Sequence, residues 1–312
     1  MISSNEFIHY LSSALLFVVP ILSIAYGQAT AAAAAADATE TQPSAAPQIR
    51  KSFLLGLALS ETAAILTGII VIFLVTTTHA PSIATVFGHL GIVCALGIPS
   101  CCIGYFASYA QKEALFATAR QPFFAPEILR LMLITLALMQ TSIILGFIIA
   151  LLIQNQIPAA ITTADSLILL ATGLAFGGGT IGPLIGLGIF SGAACKTVGV
   201  NRTVYPQVLS FTFLCQGLIE APILFSLVVA LLIVSGTQTN TVACIAAALA
   251  IALSTLGPGI ASGRTARAAC IAIGKQPAAY TTISRTSLLA QTLIDTAPIY
   301  GMIIALALLL FA

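Results

Sequence analysis

Eight apolar runs occupy most of the chain, and each is long enough to cross a lipid bilayer. A membrane-spanning helix needs about 20 mainly apolar residues. The runs lie at roughly 7–36, 50–77, 83–110, 128–154, 164–193, 205–235, 240–268 and 283–311. Their interiors are rich in Leu, Ile, Ala and Gly, without the alternating pattern of a transmembrane β-barrel. The sequence therefore predicts an all-α membrane protein with eight transmembrane helices.

The composition excludes a soluble protein. Charged residues make up 6% of the chain, whereas soluble domains carry about 25%. We therefore expect the lipid bilayer as a partner, and the net charge of +2 gives no reason to expect nucleic acid. The seven cysteines are scattered, mostly inside predicted helices, which indicates packing residues rather than metal ligands or disulfides.

The basic residues predict the orientation of the chain. All eleven fall in or beside every second connection: Arg50, Lys51, Lys112, Arg120, Arg130, Lys196, Arg202, Arg264, Arg267, Lys275 and Arg285. The opposite connections and the N-terminus carry only Glu6, His79 and Asp165. Because cytoplasmic loops collect Lys and Arg, we expect the basic loops to be cytoplasmic and both termini to lie on the opposite side. Residues 1–14 lack the positive charge of a signal peptide, which favours a first transmembrane helix.

The second helix of each predicted helix pair carries a similar segment. These segments read ALSETAAILTGIIV, ALMQTSIILGFIIA, GLIEAPILFSLVVA and TLIDTAPIYGMIIA. Their aligned polar residues are Glu61, Gln140, Glu220 and Asp295, which are 79, 80 and 75 residues apart. The sequence therefore predicts four tandem helical hairpins: hairpin 1 (1–78), hairpin 2 (79–155), hairpin 3 (156–236) and hairpin 4 (237–312).

The loop within each hairpin also repeats. Gln42-Pro43, Gln121-Pro122 and Gln276-Pro277 each begin 19 residues before the aligned polar residue, and in hairpin 3 Asn201 takes that place. The first helices are rich in small residues, which let helix backbones approach closely in a membrane. We expect the first helices to form a tight inner ring with the second helices outside.

Three acids lie in the middle of predicted spans: Glu61, Glu220 and Asp295. An ionised carboxylate there is costly, so such residues are rare and usually functional. A protonated acid held between helices explains one such residue, but not three at one repeated position. A carboxyl group that takes up a proton, crosses lipid neutral and releases it is a reversible ion carrier. Gln140 cannot ionise, so we expect hairpin 2 to be a spacer.

The neighbours of the acids are rich in oxygen. Gln216 and Gln291 precede Glu220 and Asp295 by four residues, so each amide shares a helix face with a carboxyl group and is expected to bond it. Hydroxyl groups follow two acids at Thr62 and Thr296, and prolines that free a backbone carbonyl or merely kink the helix follow two at Pro222 and Pro298. Such surroundings suit a protonated carboxyl group or a small hard cation.

Several motifs resemble the proteolipid, or c-subunit, of the F-type ATP synthases. The loops ETQP (40–43), ARQP (119–122) and GKQP (274–277) resemble the polar loop of that proteolipid. LGPGIASG at 256–263 resembles its glycine-rich inner helix, and DTAPIYG at 295–301 resembles its carrier helix. The resemblance is strong in hairpins 3 and 4, fair in hairpin 1 and degenerate in hairpin 2.

The resemblance implies a non-catalytic rotor rather than an enzyme. Copies of the chain would form a ring, with Glu61, Glu220 and Asp295 as carriers facing the a-subunit of the stator, which bears an essential arginine. The polar loops would contact the central stalk and couple rotation to ATP synthesis. The stalk-contacting residues implied are Gln42, Pro43, Arg120, Gln121, Pro122, Lys275, Gln276 and Pro277.

The transported ion and the working direction stay open at this stage. No cofactor is expected; protons are the default cargo because a bare carboxyl group suffices for them. Sodium-using relatives place a glutamine on the inner helix, and Gln28 holds that position in hairpin 1, whereas Ala107, Leu187 and Ser262 hold it elsewhere. The alternatives are a V-type-like ATP-driven pump, a repeat-built secondary transporter and a purely structural proteolipid.

Overall fold

The computed structural model describes residues 4–76, 83–160, 162–235 and 240–311. These residues are helical almost throughout, and eight helical spans among them are long and apolar enough to cross a membrane. The spans are Tyr10–Thr41, Pro43–Thr76, Thr85–Arg120, Pro122–Ala159, Thr163–Val200, Arg202–Val234, Thr241–Lys275 and Pro277–Phe311. The predicted all-α membrane architecture with eight transmembrane helices is confirmed.

Three of these spans are interrupted, so the described chain contains eleven α-helices. A π-helical turn (Val93–Gly97) divides the third span, and the fourth and eighth spans break at Gln140 and Asp295. The helices are α1 (Ser4–Thr41), α2 (Ala46–Thr76), α3 (Ile83–Ile92), α4 (Ile98–Arg120), α5 (Ala125–Met139), α6 (Thr141–Gln156), α7 (Thr163–Val200), α8 (Tyr205–Val234), α9 (Thr241–Lys275), α10 (Tyr280–Ile294) and α11 (Thr296–Phe311). Of the predicted hairpin boundaries, those at 78–79 and 236–237 lie outside the described residues.

Each hairpin turns through a three-residue 3₁₀ segment that follows one non-helical residue. That residue is Gln42, Gln121, Asn201 or Gln276, with φ between −142° and −133° and ψ between 70° and 99°. A following proline disfavours the α region, which accounts for three of these turns. Asn201 lacks that proline, and its side chain instead accepts hydrogen bonds from the backbone N–H and hydroxyl of Thr203. Hairpin 3 therefore keeps the repeated loop without its Gln-Pro pair.

The hairpins pack side by side in two layers. Their first helices, α1, α3 with α4, α7 and α9, contact one another in chain order and form what we call the inner layer. The second helices, α2, α5 with α6, α8, and α10 with α11, form the outer layer. Up to hairpin 3, each second helix packs against the first helix of its own hairpin and against that of the next. The two layers expected from the small first helices are thus present.

Close backbone approach holds the inner layer together. A side chain at Gly186 would overlap the backbone of Gly259, and one at Gly173 would overlap the backbone of Gly91. Likewise, Gly27 lies against the carbonyl group of Gly104. Only glycine lets these helix backbones come so near, which is how small residues replace the hydrophobic effect as the basis of helix packing in lipid.

The outermost spans of the two end hairpins are less buried than the spans of the middle hairpins. The most apolar stretch of the fifth span is 67% buried, whereas those of the first and eighth spans are 33% and 28% buried. The two-layer assembly therefore ends in two uncovered edges.

Candidate functional site

The aligned polar residues lie in the outer layer: Gln140, Glu220 and Asp295 where successive hairpins meet, and Glu61 at the edge of hairpin 1. At the boundary of hairpins 1 and 2, the amide of Gln140 donates to the backbone carbonyl of Leu59 at 3.0 Å. The amide oxygen of Gln140 accepts a bond from the hydroxyl of Thr62 at 2.8 Å. Gln140 is 9% exposed. A neutral side chain therefore ties hairpin 2 to hairpin 1 at the position where the other hairpins have an acid.

Glu220 occupies the equivalent place at the boundary of hairpins 2 and 3. Its Oε1 accepts a hydrogen bond from the hydroxyl of Thr141 at 3.0 Å. Thr141 follows Gln140 in the chain as Thr62 follows Glu61. In both boundaries, the residue after the aligned position donates to the aligned residue of the next hairpin.

The third boundary departs from this rule. The residue after Glu220 is Ala221, which has no hydroxyl to offer Asp295. Asp295 is 7% exposed, and its Oδ1 has no hydrogen-bond partner among the described residues. The two buried or half-buried acids therefore have unequal surroundings, because one receives a hydroxyl bond and the other does not.

Glu61 lies on the uncovered edge of hairpin 1. It is exposed, and its Oε1 accepts a hydrogen bond from Nε2 of Gln28 on α1 at 3.2 Å. The structure thus brings together the inner-layer glutamine and the acid that the sequence paired. At the same inner position in the other hairpins, Ala107, Leu187 and Ser262 are buried.

The expected bond between Gln216 and Glu220 is wrong. Gln216 is fully buried, and its Nε2 donates to the backbone carbonyl of Thr135 at 3.2 Å and to the hydroxyl of Ser191 at 3.3 Å. A buried amide must satisfy its donors, and these acceptors lie on the neighbouring hairpin and the inner layer. Gln216 therefore joins helices instead of holding the carboxyl group.

The expected bond between Gln291 and Asp295 is also wrong. The Nε2 of Gln291 donates to Ser287 Oγ at 3.1 Å and to Cys215 Sγ at 3.3 Å, and its Oε1 accepts from Ser262 at 3.3 Å. These partners satisfy both ends of the amide away from the acid. The spacing of residues along one helix could not predict these partners, because several of them lie on neighbouring helices.

The hydroxyl groups serve other partners than the sequence suggested. Thr62 bonds Gln140 of the next hairpin and not Glu61, while Thr296 donates to the backbone carbonyl of Leu293 at 2.8 Å. Thr141, which bonds Glu220, was not among the predicted site residues. The repeat itself carried the signal, since aligning the residues after the four polar positions puts Thr141 in the same column as Thr62.

Proline accounts for the break of the outer helix in hairpin 4. Pro298 lacks the N–H that would bond the carbonyl of Ile294, and α10 ends at Ile294. In hairpin 3, Pro222 lies inside the continuous helix α8, so it does not interrupt the helix. The break at Gln140 has no proline nearby, and nothing in the local sequence predicts it.

Comparison with known proteins finds similar sequences in the c-subunits of ATP synthases. A family model for the C-subunit of ATP synthase matches residues 11–75 and again residues 245–308. The ATP synthase c-subunit 2 of Cereibacter sphaeroides is 47% identical over 66 residues, which are 21% of this chain and 78% of that protein. The ATP synthase c-subunit of Thermosynechococcus vestitus is 46% identical over 65 residues, which are 21% of this chain and 79% of that protein.

The chain belongs to the ATP synthase C-subunit family. Each relative corresponds to about a fifth of the chain, and this length is consistent with a chain made of fused repeats of the family hairpin. Membership supports an ion-translocating rotor role in a non-catalytic membrane part of ATP synthase, and it implies a ring of such hairpins. The matched segments fall in hairpins 1 and 4, whereas the motifs had ranked hairpins 3 and 4 first.

The polar loops of this fused proteolipid lie together at one end of the hairpins. Gln121 and Pro122 are half-buried, and Arg120, Lys275 and Gln276 are exposed. Phe123 stands beside them and is 98% exposed. Phe123 was not among the residues predicted at the loop end, although it directly follows the Gln-Pro pair of hairpin 2.

Proposed function

We propose that this chain is the ion-carrying rotor subunit of a membrane rotary ATP synthase. Protons load and unload at Glu61, Glu220 and Asp295, and rotation of the ring couples their passage to ATP synthesis. The observation that supports the proposal most directly is the recurrence of a carboxyl group at the aligned position of three outer-layer helices. A structural proteolipid would not need acids at that one place.

The surroundings of Glu220 suit an exchangeable proton. Glu220 is half-buried and accepts a hydrogen bond from Thr141, while its remaining lone pairs leave room for a proton. A protonated carboxyl group crosses lipid without the cost of a buried charge. An arginine on the a-subunit of the stator would favour release of the proton as each site passes it.

The hairpin loops are proposed to contact the central stalk on the cytoplasmic side. The basic residues lie at or toward this end, where the positive-inside rule places the cytoplasm. The contact residues proposed at the loops are Gln42, Pro43, Arg120, Gln121, Pro122, Lys275, Gln276 and Pro277. The termini then lie on the opposite side of the membrane.

Carbodiimide labelling of the intact ring tests the carriers. Protonated carboxyl groups within the membrane react slowly and selectively, so we expect adducts on Glu61, Glu220 and Asp295, located by peptide mass. Labelling confined to surface acids such as Glu113 would overturn the carrier assignment. Replacing all three acids with amides (E61Q, E220Q and D295N) should abolish ion transport coupled to nucleotide turnover, whereas a secondary transporter would show ion transport without such coupling.

The same labelling with added sodium identifies the ion. Gln28 beside Glu61 offers an amide oxygen or nitrogen to the site, so sodium binding there is the alternative cargo. Proton use predicts that sodium leaves the labelling rate unchanged. Protection by sodium at Glu61 would instead assign sodium to that site.

An ATP-driven pump is the second candidate, and Gln140 favours it. One hairpin in four has no carboxyl group, so fewer ions move per ATP and each can be driven against a steeper gradient. Reconstitution of the whole complex in vesicles separates the two: a synthase makes ATP under an imposed ion gradient, whereas a pump only hydrolyses it.

A further inference from the structure

A cleft lies on the inner layer, close to the hairpin loops. It has a volume of about 480 Å³ and is formed by residues of α4, α7 and α9. Among the described residues, none from the outer layer lines it, so the cleft opens on the opposite face of the inner layer. It is therefore separate from the proposed carrier sites, which lie in the outer layer.

Much of the lining of this cleft is apolar or small. Ile189 and Ile271 contribute aliphatic side chains from α7 and α9. Gly192 and Ala193 keep the cleft open because they have little or no side chain. A Cβ added at Gly192 would come within 3.1 Å of the carbonyl oxygen of Tyr109, so α7 runs close to α4 here. Apolar lining with a few polar groups is typical of sites that bind small molecules.

The same cleft has an excess of positive charge. Lys196, Arg267 and Lys275 line it, and all three are exposed. Glu113 is the one acid that lines it among the described residues, and its Oε1 lies 3.9 Å from Nζ of Lys196. Exposed ion pairs of this kind are weak, and neither Arg267 nor Lys275 has an ion pair within the described part of the chain. Three cations facing one acid favour an anionic ligand.

Two of these cations are specific to the boundary of hairpins 3 and 4. Counted back from the loop residue of each hairpin, Phe116 and Gly192 hold the places of Lys196 and Arg267 one hairpin earlier. The repeat therefore does not supply the two cations to the preceding boundary. The positive-inside rule acts on whole loops, and it gives no reason for two cations and two isoleucines to share one cleft.

The cleft reaches from the hairpin loops to the level of the lipid headgroups. Lys51, Arg130 and Arg285 on the outer-layer helices each lie nine residues after the loop residue of their hairpin, and Arg267 lies nine residues before its own. Because the two helices of a hairpin are antiparallel, all four lie at a similar height, about 14 Å from the turn. Exposed basic residues collect at the cytoplasmic surface of a membrane. A lipid headgroup and a soluble compound can both reach this level.

We propose that this cleft binds an organic phosphate, with the phosphate group held by Lys196 and Arg267 and the apolar part of the ligand lying against Ile189 and Ile271. Arginine binds phosphate through two parallel hydrogen bonds, and lysine binds it as a compact charge. Lys196 exchanges its loose contact with Glu113 for the phosphate. The ligand is an anionic phospholipid or a soluble phosphate ester, which share this chemistry. The site goes beyond the proposed ion carriage and does not depend on it.

Native mass spectrometry of the purified full-length chain in a mild detergent tests the site and separates the two sources. Delipidated protein is incubated with phosphatidylglycerol as the lipid or with AMP as the soluble ester. Phosphatidylcholine, which has the same acyl chains but no net charge, is the control and should bind about tenfold more weakly than phosphatidylglycerol. Binding of one phosphatidylglycerol per chain assigns a lipid, and binding of one AMP assigns a soluble ester. Binding of neither, or equal binding of phosphatidylcholine, overturns the proposal.

Charge-removing variants test the residues. Lys196→Gln and Arg267→Gln should each lower the affinity about tenfold to a hundredfold, because each loses a hydrogen bond between charged groups. Arg130→Gln is the matched control, since it removes an exposed cation at the same height from the outer layer and should leave the affinity unchanged. An equal loss in all three variants would indicate general attraction to basic surface and would overturn the site.

Carbodiimide labelling keeps this proposal distinct from the proposed function. Lys196→Gln and Arg267→Gln should be labelled at the three acids as the wild type is, which also shows that the variants fold. No labelling of the wild-type acids would refute the carriers and leave the phosphate site standing. Normal labelling with unchanged phosphate affinity in both variants would refute the phosphate site alone.

Discussion

The hydroxyl of Thr141 reaches across a hairpin boundary and donates to the carboxyl group of Glu220 at 3.0 Å. The two residues are 79 positions apart in the chain, yet each lies at or beside the repeated position of its hairpin. Glu220 is therefore served by the hairpin before it. The properties of this proposed carrier site depend on two consecutive repeats rather than on one.

Removing this hydroxyl should free Glu220. In Thr141→Ala, carbodiimide labelling of Glu220 is expected to accelerate roughly twofold to tenfold, because the bond that the reaction must break is worth about 0.5–1.5 kcal/mol. Thr141→Ser keeps the hydroxyl and should restore the wild-type rate. Equal acceleration in both variants would show that the methyl group, and not the hydroxyl, matters.

Giving hairpin 3 the missing hydroxyl should have the opposite effect at Asp295. Ala221→Thr places a donor where Thr141 has one, next to a carboxyl oxygen that has no partner among the described residues. Labelling of Asp295 is expected to slow roughly twofold to tenfold. Ala221→Val has the same shape without the hydroxyl and should not slow it; slowing by both variants would point to steric shielding.

The inner layer should not tolerate side chains at its closest contacts. Gly186→Ala pushes a methyl group into the backbone of Gly259, and such overpacking costs about 1–3 kcal/mol. Gly217→Ala is the control, since nothing lies within 4 Å of its added methyl group. The thermal midpoint of the purified ring in detergent should fall for the first variant and stay or rise for the second.

The neutral position in hairpin 2 should be structural. Gln140→Leu loses both the donor to Leu59 and the acceptor of Thr62, and we expect it to destabilise the ring by about 1–3 kcal/mol. Gln140→Glu in its protonated form keeps one donor and one acceptor, so it should assemble nearly as well as the wild type. Gln140→Glu should also give the chain a fourth site of carbodiimide labelling. Assembly of both variants at the wild-type level would refute the structural role of Gln140.

Periodicity and length predicted the membrane helices because a bilayer imposes strict limits on both. The repeated spacing of Glu61, Glu220 and Asp295 likewise indicated the candidate sites, and the pairing of Gln28 with Glu61 followed from the resemblance to sodium-using relatives. The chain alone could place the three acids because each hairpin reproduces one local pattern.

The partners of Gln216 and Gln291 could not be predicted in the same way. Helical spacing says which side chains share a face, but these buried amides found acceptors on Thr135 and Cys215 of neighbouring hairpins. Such contacts depend on how the helices are rotated against each other, and no spacing within one helix encodes that rotation. Thr141 aligns with Thr62 in the repeat, but its bond to Glu220 could not be predicted for the same reason, since this acceptor lies in the following repeat.

In the proposed rotor, the fusion of four hairpins would restrict how the number of ions carried per turn can change during evolution. A ring of separate hairpins can gain or lose one member at a time, whereas a ring built from copies of these four hairpins would change in steps of four. Since Gln140 stands in place of one acid in each set, the number of ions per turn would then change in steps of three. Intermediate numbers would become accessible through substitutions at the aligned position, where one codon could add or remove a proposed carrier without resizing the ring.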